Sequence, residues 1–369
     1  MITKTIAKPM FVKGPKDDIF RKIQREVKQN VLGNENIYRQ NIAKVIVYAL
    51  MFVLSYAGIF MFGNNAWWLF AFYILYGISM ILIFVNAFHD AAHGALFKTR
   101  KLNHIFCYVL EIFGSNNFVW RKRHLLLHHP YPNIPNWDVD VKQSDIARIF
   151  PNSKFLPIHK YQHVYMWFLY PLYTLNWLVV RDFKDFFGSK DNYLKRLITI
   201  PKIEYYKLFA AKLFNIIYLI ILPVLVLKTQ HWYVILLAWT SMHLIASCFG
   251  TIALLSTHAD EYAHFPEPDE NGNLSSTWFM HQLDVTKDFS ADNRFANLLF
   301  GGFTHHVAHH LFPSVAHTYY PKITKIIRRY AKEYHLPYRC YPFYAAVQSH
   351  FRLLKNNGRE NNLFIKGEL

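Results

Sequence analysis

Cysteine and negative charge are both scarce in this chain. Its three cysteines are too few and too scattered for a disulfide framework, a thiolate zinc cluster or an iron–sulfur cluster. A reducing interior is therefore the simplest setting for the protein. The chain also lacks a short apolar opening stretch that ends in small residues, so we expect no cleaved secretory signal.

Acidic residues are outnumbered by basic ones, 24 Asp and Glu against 41 Lys and Arg, which gives a formal net charge of +17. A charge of this size is typical of a nucleic-acid-binding protein. Here, however, the basic residues flank long apolar runs, and 53% of all residues are hydrophobic. Lysine and arginine beside such runs mark the cytoplasmic side of membrane helices and face anionic lipid. We therefore expect membrane lipid, and no nucleic acid, as a partner.

Two adjoining apolar runs, 44–63 and 67–88, are each long enough to cross about 30 Å of hydrocarbon. The turn between them is short and uncharged. Trp67 and Trp68 lie at its edge, where interfacial aromatic residues are expected. The pair of runs predicts a transmembrane hairpin.

Three further apolar runs lie near 163–180, 207–227 and 232–255. The histidine clusters described below lie before and after these runs, and they share one site only if the chain crosses the membrane an even number of times between them. Pro171, Asn176 and many Tyr and Trp residues suit 163–180 to the interface better than to the hydrocarbon core. We therefore predict that 207–227 and 232–255 form a second hairpin and that 163–180 stays on one side.

These spans predict an all-α membrane protein, with four transmembrane helices in two hairpins under a cytoplasmic helical cap. Both termini are expected on the cytoplasmic side, because the basic ends of the chain then obey the positive-inside rule. The predicted divisions are a cytoplasmic N-terminal segment, 1–43, a membrane domain, 44–345, and a basic tail, 346–369. Apolar residues at helical spacing also predict an amphipathic helix near 19–32. We favour its packing on the domain over a position on the membrane surface.

Histidines form three clusters beside or between these apolar runs. The clusters are His89 and His93; His124, His128 and His129; and His306, His309 and His310. Most of their members are three to five residues apart, and the spacing of His306, His309 and His310, at i, i+3 and i+4, places side chains on one face of a helix. Neutral imidazole is a preferred ligand of iron, zinc and copper. We therefore predict that the membrane helices bring the three clusters together at one membrane surface, on the cytoplasmic side.

The number of clustered histidines indicates how many metal ions they bind. A single histidine at a helix end is usually a hydrogen-bonded structural residue, whereas three clusters with ligand spacing indicate a metal site. One metal ion takes four to six ligands, so eight imidazoles predict two ions. An imidazole-rich shell with few cysteines favours iron over a thiolate-bound metal.

The motifs resemble the three histidine boxes of the integral-membrane fatty acid desaturases. The matching segments read His-Asp-Ala-Ala-His at 89–93, His-Leu-Leu-Leu-His-His at 124–129 and His-Val-Ala-His-His at 306–310. Trp120 before the second box and Leu-Phe-Pro after the third match as well. The similarity extends from about residue 40 to about residue 345.

The resemblance implies a ninth ligand, His258, after the fourth span. It also implies a non-haem diiron centre that uses molecular oxygen and two electrons to remove two hydrogens from adjacent methylenes of a fatty acyl chain. The substrate is expected to be an acyl-CoA or an acyl-lipid. The sequence contains no His-Pro-Gly-Gly haem motif. The electrons are therefore expected to come from a separate ferredoxin or cytochrome b5-type donor.

An unactivated methylene has no acidic proton, so the difficult step belongs to the metal centre, and a narrow apolar tunnel must position the featureless chain. Aromatic residues of the second span and of 163–180 are expected to line it.

A hydroxylase or ketolase on the same scaffold is the alternative. A metal-binding transporter is less favoured, because His243 is the only ionisable residue deep in the spans. Lys44, Lys207 and Lys212 lie near span ends, where lysine can reach the interface.

Several other polar residues near the boxes are candidates for supporting roles. The carboxylates that could orient ligating histidines are Asp90, Asp138, Asp260 and Asp284. The nearby histidines that we expect not to bind metal are His104, His264, His281, His305 and His317. Lys122 and Arg123 are expected to meet a CoA phosphate, a phospholipid head group or an acidic electron donor, or to act only as a topology signal.

Overall fold

Four long apolar helices dominate the structure, a computed structural model that describes residues 8–142, 144–188 and 193–359. Each is long and apolar enough to cross a membrane. They run over Glu35–Phe62, Ala66–Ala92, Lys202–Val226 and Trp232–Leu255. They match the four predicted spans, except that the first begins at Glu35 rather than near residue 44. The reason is a helix cap, because the Asn34 side chain accepts a hydrogen bond from the main-chain N of Ile37.

The helices are numbered in chain order. Those up to the second histidine cluster are α1 Lys16–Asn30, α2 Glu35–Phe62, α3 Ala66–Ile83, α4 His89–Ala92, α5 Arg100–Phe106, α6 Val109–Ile112 and α7 Asn117–Arg123. The next group, up to the end of the fourth span, is α8 Gln162–Leu169, α9 Tyr173–Asn176, α10 Asp182–Phe187, α11 Tyr193–Leu197, α12 Lys202–Ile216, α13 Leu222–Val226 and α14 Trp232–His258. The last group is α15 Trp278–Val285, α16 Arg294–Phe300, α17 His306–Leu311, α18 Tyr320–Glu333 and α19 Phe343–Asn357.

Tighter and wider helical turns join several of these helices. The wider, π-helical turns are Phe84–Phe88, His124–His128, Trp177–Arg181 and Ile217–Ile221. The tighter, 3₁₀ turns are Pro157–Tyr161, Tyr170–Leu172, Gly301–His305 and His317–Tyr319. One π-helical turn, His124–His128, carries the second histidine cluster, and another, Phe84–Phe88, ends just before the first. Such turns are often found at functional sites.

Two short parallel strand pairs fasten distant segments to each other. β1 Met10–Phe11 pairs with β2 Asn273–Leu274. β3 Asp288–Phe289 pairs with β4 Cys340–Tyr341. The first pair fixes the N-terminal segment to the loop that follows α14, and the second fixes the segment before α19 beside the third histidine cluster.

The membrane helices α3 and α14 pack along each other, and α3 also packs along α2. A small residue allows the approach, since a Cβ on Gly77 would lie only 2.7 Å from the Cγ of Met242. Thr229 and Gln230, which precede α14, both donate hydrogen bonds to the main-chain oxygen of Asn64, which precedes α3. The starts of α3 and α14 therefore lie together, and both helices run toward the histidines.

The apolar run 163–180 is not among the four candidate spans found in the described residues, in agreement with the prediction. It forms α8, a 3₁₀ turn at Pro171, α9 and the start of a π-helical turn, and it packs against α14. The Thr174 hydroxyl lies 2.9 Å from Nδ1 of His243. This contact gives the histidine deep in the fourth span a polar partner.

The amphipathic helix predicted near 19–32 is α1. Its apolar face packs against α15 and α18, with Ile23 and Val27 fully buried. Each of these two side chains contributes about 2 kcal/mol by leaving water. The helix therefore packs on the domain, as expected. At the other end of the chain, α19 runs through the predicted boundary at 345–346, while 360–369 lies outside the described residues.

Candidate metal centre

Nine histidines from four separate segments meet where α3 and α14 end. They form two groups, and within each group one ring nitrogen per residue lies within 4.8 Å of the others. The five-histidine group comprises His89, His93, His124, His129 and His309, and the four-histidine group comprises His128, His258, His306 and His310. The structure thus brings all nine predicted site residues together. It includes His258, which the sequence indicated only through the family resemblance.

The first cluster is positioned by the π-helical turn Phe84–Phe88, which leads directly into α4. Asn86 in this turn donates a hydrogen bond to the main-chain oxygen of Leu299, 3.0 Å away. Gly301 follows with φ of +54°, and a Cβ there would lie 2.6 Å from Oδ1 of Asn86. Only glycine suits that conformation and that approach. The end of α3 is thereby fixed against the turn that leads into the third cluster.

The second cluster lies on the π-helical turn His124–His128. The main-chain N of His129 donates to the oxygen of His124 at 3.0 Å, a bond between residues five apart. In an ordinary α-helix His129 would be rotated by about 140° from His124. The wider turn brings both rings into the five-histidine group, while His128 reaches the other group. One short segment therefore serves both groups, which the spacing alone did not reveal.

Ring nitrogens face one another within the five-histidine group. The Nε2 atoms of His89 and His129 each lie 3.1 Å from Nε2 of His124. Nε2 of His309 lies 2.9 Å from Nε2 of His129. Nε2 of His93 is buried without a hydrogen-bond partner. A neutral imidazole carries only one N–H. Where several ring nitrogens point at one another, there are therefore too few hydrogens for each nitrogen to form a hydrogen bond.

The four-histidine group has the same character. Nε2 of His306 lies 2.7 Å from Nε2 of His258. Nε2 of His310 is buried and has no hydrogen-bond partner. A metal cation accepts the lone pairs that these nitrogens direct at one another. The donor set and the unpartnered nitrogens therefore fit two metal ions, one for each group.

Carboxylates hold two rings of the second cluster. Nδ1 of His128 lies 3.0 Å from Oδ1 of Asp138, and Nδ1 of His124 lies 3.0 Å from Oδ2 of Asp140. The main-chain N of Asn133 donates to the other oxygen of Asp138 at 2.8 Å. Such contacts fix the tautomer and orientation of a ligating imidazole, so that Nε2 is left for metal. Asp138 was among the predicted carboxylates, whereas Asp140 was not.

An amide and a phenol hold rings of the third cluster. Nδ1 of His310 lies 2.9 Å from Oε1 of Gln282, whose amide nitrogen donates to the main-chain oxygen of His129. Nδ1 of His309 lies 3.2 Å from the hydroxyl of Tyr320. Gln282 and Tyr320 lie on α15 and α18, more than ten residues from the rings they contact. The sequence carried no signal for either of them.

The other predicted supporting residues lie outside both groups. Asp90 contacts His317, and Asp260 forms an ion pair with Lys287 at 2.5 Å. Asp284 is half-buried and belongs to neither group, and its main-chain oxygen accepts a hydrogen bond from Arg339. The five histidines expected not to bind metal, which are His104, His264, His281, His305 and His317, belong to neither group.

Burial sets the charge state of these imidazoles. It lowers the pKa values, and the neighbouring imidazoles lower them further, well below the usual range for His93, His124, His129, His306, His309 and His310. The pKa of His258 falls to about 3 for the same reasons. His128 differs, because the charge and hydrogen bond of Asp138 outweigh burial and raise its pKa. Neutral rings keep the lone pair that a metal ion needs.

A cavity of about 650 Å³ borders the histidines and is lined mainly by apolar side chains. Its wall includes His124, His128, His258 and His306, together with aromatic residues of the second span and of 163–180, as expected, namely Phe84, Tyr170, Tyr173 and Trp177. His243 also lines it, at a point about 22 Å along α14 from His258. The cavity is long enough for an extended acyl chain.

Arg123 is not the surface cation that the sequence suggested. Its side chain is 1% exposed and forms ion pairs with Asp140 and Asp185. Its guanidinium lies 4.4 Å from the ring centre of Trp177. A guanidinium that is buried between two carboxylates and an indole is fully engaged inside the protein and forms part of the cavity wall. Lys122 remains a partly exposed neighbour.

Comparison with known proteins places the chain in a family. The profile described as "Fatty acid desaturase" matches residues 65–342, a range that contains all nine histidines. The chain belongs to the fatty acid desaturase family. This confirms the predicted family of oxidoreductases that desaturate fatty acyl chains, and it leaves the transporter alternative without support.

The desaturase resembles proteins from several organisms. It is 31% identical over 277 residues to an acyl-lipid (8-3)-desaturase of Physcomitrium patens, a match that covers 74% of this chain and 57% of that protein. It is 28% identical to an sn-1 linoleoyl-lipid 6-desaturase of Arthrospira platensis, over 76% of each chain. It is 30% identical to a probable Delta(5) fatty acid desaturase C of Dictyostelium discoideum, over 87% of this chain and 71% of that one.

Proposed function

We propose that the desaturase binds two iron ions, one in each histidine group, and uses molecular oxygen to insert a double bond into a fatty acyl chain held in the cavity. The observation that carries the proposal is the meeting of two imidazole groups with one long apolar cavity. The nine histidines are the proposed ligands. The scattered cysteines take no part, since none belongs to either group.

The protein positions the acyl chain and keeps water out of the site. When bound, the iron ions supply the oxygen chemistry that removes hydrogen from adjacent methylenes. The cavity wall excludes water and holds the acyl chain in one path past the histidines. Four members of the two histidine groups border the cavity, and three of them, His128, His258 and His306, belong to the four-histidine group. We infer that the reacting methylenes face that group.

An acyl-lipid is the substrate that we propose, rather than an acyl-CoA. The relatives from P. patens and A. platensis are named for acyl-lipid substrates. In this chain Arg123, the buried guanidinium in the cavity wall, is already paired with two carboxylates, so it does not offer a free charge to a CoA phosphate. The names of two relatives carry the position numbers 6 and Delta(5), and we propose a double bond near the carboxyl end of the acyl chain here.

Electrons are proposed to enter on the side of His93. It is the one partly exposed member of the nine, whereas the other eight are buried. The exposed cations Arg100 and Lys101 follow it closely in the chain, and Lys98 is paired with Glu35. A basic surface beside an accessible ligand suits an acidic ferredoxin or cytochrome b5-type donor.

We further propose the membrane topology of two hairpins with the metal centre and both termini on the cytoplasmic side. The contact between the connections that precede α3 and α14 supports it, because both spans then leave the same end together. The excess of lysine and arginine near the histidines supports the cytoplasmic assignment. Labelling of single cysteines introduced at Asn64 and at Lys101 in intact cells tests it. Labelling of the Lys101 site alone from outside would overturn it.

The function is tested by expressing the full chain in a host and locating new double bonds in its lipids by mass spectrometry. New unsaturated acyl-lipids, absent with the variant His309→Ala, are the expected result. Hydroxy or keto fatty acids would instead support the alternative of a hydroxylase or ketolase. Iron content of the purified protein is the second measurement, and a protein free of iron but rich in another metal would refute the diiron assignment.

A further inference from the structure

A buried polar chain links the first span to the first histidine box. Nδ1 of His317 lies 2.8 Å from Oδ2 of Asp90, the residue after His89, and the main-chain N of His317 donates to the same oxygen. Nε2 of His317 lies 3.0 Å from Nζ of Lys44 on α2. His317 and Asp90 are 4% and 2% exposed. Lys44 therefore has a hydrogen-bond partner inside the protein, and its side chain does not extend only toward the membrane interface.

The partners fix how the hydrogens are arranged in this chain. A lysine ammonium can only donate hydrogen bonds, and it donates here to the main-chain oxygen of Asn297 as well. Nε2 of His317 must therefore accept from Lys44, which leaves the hydrogen on Nδ1. Nδ1 then donates to Asp90. The ring of His317 thus gives Lys44 a second acceptor and gives Asp90 a donor, and both contacts are lost without that ring.

His317 also touches the segment that carries the third box. It opens the 3₁₀ turn just before α18, whose first residue, Tyr320, contacts His309. Gly302, in the turn that leads into α17, lies against it so closely that an added Cβ would be 3.3 Å from the Cβ of His317. One buried histidine thus contacts the first span, the first box and the turn before the third box.

We propose that His317 is a positioning residue of the metal centre. It connects Lys44 to Asp90 and so holds the first box, with ligands His89 and His93, against the third box in the five-histidine group. This inference rests on the proposed function only in taking the two histidine groups as metal sites. Residues that orient ligands from outside the coordination sphere typically change metal affinity or activity by about 10- to 100-fold.

The test compares two substitutions at position 317 in the purified full-length protein. His317→Leu removes both ring contacts, whereas the amide of His317→Gln can accept from Lys44 and donate to Asp90. We expect His317→Leu to lose about half of its bound iron and to change the Mössbauer spectrum of the iron that remains. His317→Gln is expected to restore most of the iron and of the spectrum.

His159→Leu is the matched control. His159 is also buried, its two ring nitrogens are also engaged, with Leu156 and with the main-chain oxygen of Asp145, and it belongs to neither histidine group. It is expected to lower thermal stability while iron content and spectrum stay unchanged. If His317→Leu behaves like this control, His317 only packs and the inference is wrong.

A milder variant covers the case in which His317→Leu does not accumulate. Lys44→Met leaves the contact between His317 and Asp90 and removes the donor to Nε2 of His317, together with the bond to the main-chain oxygen of Asn297. We expect a smaller loss of iron with the same direction of spectral change. A wild-type spectrum and full iron content in Lys44→Met would contradict the proposal. Wild-type protein that binds no iron would contradict the proposed function instead, so the two failures are distinguishable.

Discussion

The two histidine groups differ in what surrounds them. In the five-histidine group His93 is partly exposed, and His124 alone lines the cavity. In the four-histidine group every member is buried, and His128, His258 and His306 line the cavity. One group thus approaches solvent, and the other makes most of the contact with the cavity that we propose for the acyl chain. The difference suggests that electrons arrive at the first group and that the substrate is oxidised beside the second.

The same comparison shows what the groups share. The second box supplies a carboxylate-held ring to each, His124 with Asp140 and His128 with Asp138. Because both rings lie on one π-helical turn, movement of that turn would disturb both groups together. We infer that the groups are mechanically coupled through the second box and chemically distinguished by their surroundings.

The largest expected effect comes from removing one proposed metal ligand of each group. His306→Ala and His309→Ala should each lower product formation at least about 100-fold, because each takes away a ring that directs its lone pair at a metal. Quantified lipid product and iron per chain are the measurements. His281→Ala is the control, since His281 is buried but bonded to the main-chain oxygen of Pro132. Full activity in either ligand variant would remove the metal assignment.

A smaller effect should separate the two carboxylates. Asp138→Asn is expected to lower activity about 10- to 100-fold, because Asp138 is completely buried and holds His128. Asp140→Asn should cost less, since the side chain of Asp140 is 19% exposed, so water can replace part of its contact with His124. Activity and iron retention are compared side by side. A larger loss in Asp140→Asn would contradict this order of the two carboxylates.

Filling the cavity should alter selectivity more than metal binding. Leu254→Trp places a larger side chain in the wall near the four-histidine group and is expected to lower activity several-fold, with long acyl chains affected most. Iron content should stay constant. Gly250→Ala is the control, because a Cβ there meets Ile81 at an ordinary 3.5 Å. An unchanged product profile in Leu254→Trp would place the acyl chain elsewhere.

The smallest effect is expected on the solvent side of the five-histidine group. The double substitution Arg100→Gln and Lys101→Gln should raise the KM for the electron donor a few-fold and weaken its salt dependence, with little change in kcat. Steady-state kinetics with purified donor at two salt concentrations measure this. Lys332→Gln, an exposed cation on α18, is the control. Equal effects of the control and the double variant would argue against donor docking beside His93.

The sequence allowed the four spans, the three histidine clusters and the exclusion of 163–180 as a span to be predicted. Hydropathy over about 20 residues and helical spacing are local properties, so they do not depend on how the rest of the chain folds. His258 needed the family resemblance, because one histidine at a helix end carries no spacing signal. Arg123 was placed on the surface wrongly, because a local run of cations cannot reveal carboxylates that arrive from residues 140 and 185.

By itself, then, the sequence determined which residues could bind metal and which segments could enter a membrane. Only the tertiary structure decided how the nine histidines divide into groups of five and four, since that division depends on the π-helical turn at His124–His128. It also decided which residues hold the rings, namely Asp140, Gln282 and Tyr320. The physical reason is that an imidazole's orientation is set by partners brought close in space, and these partners lie up to tens of residues away along the chain.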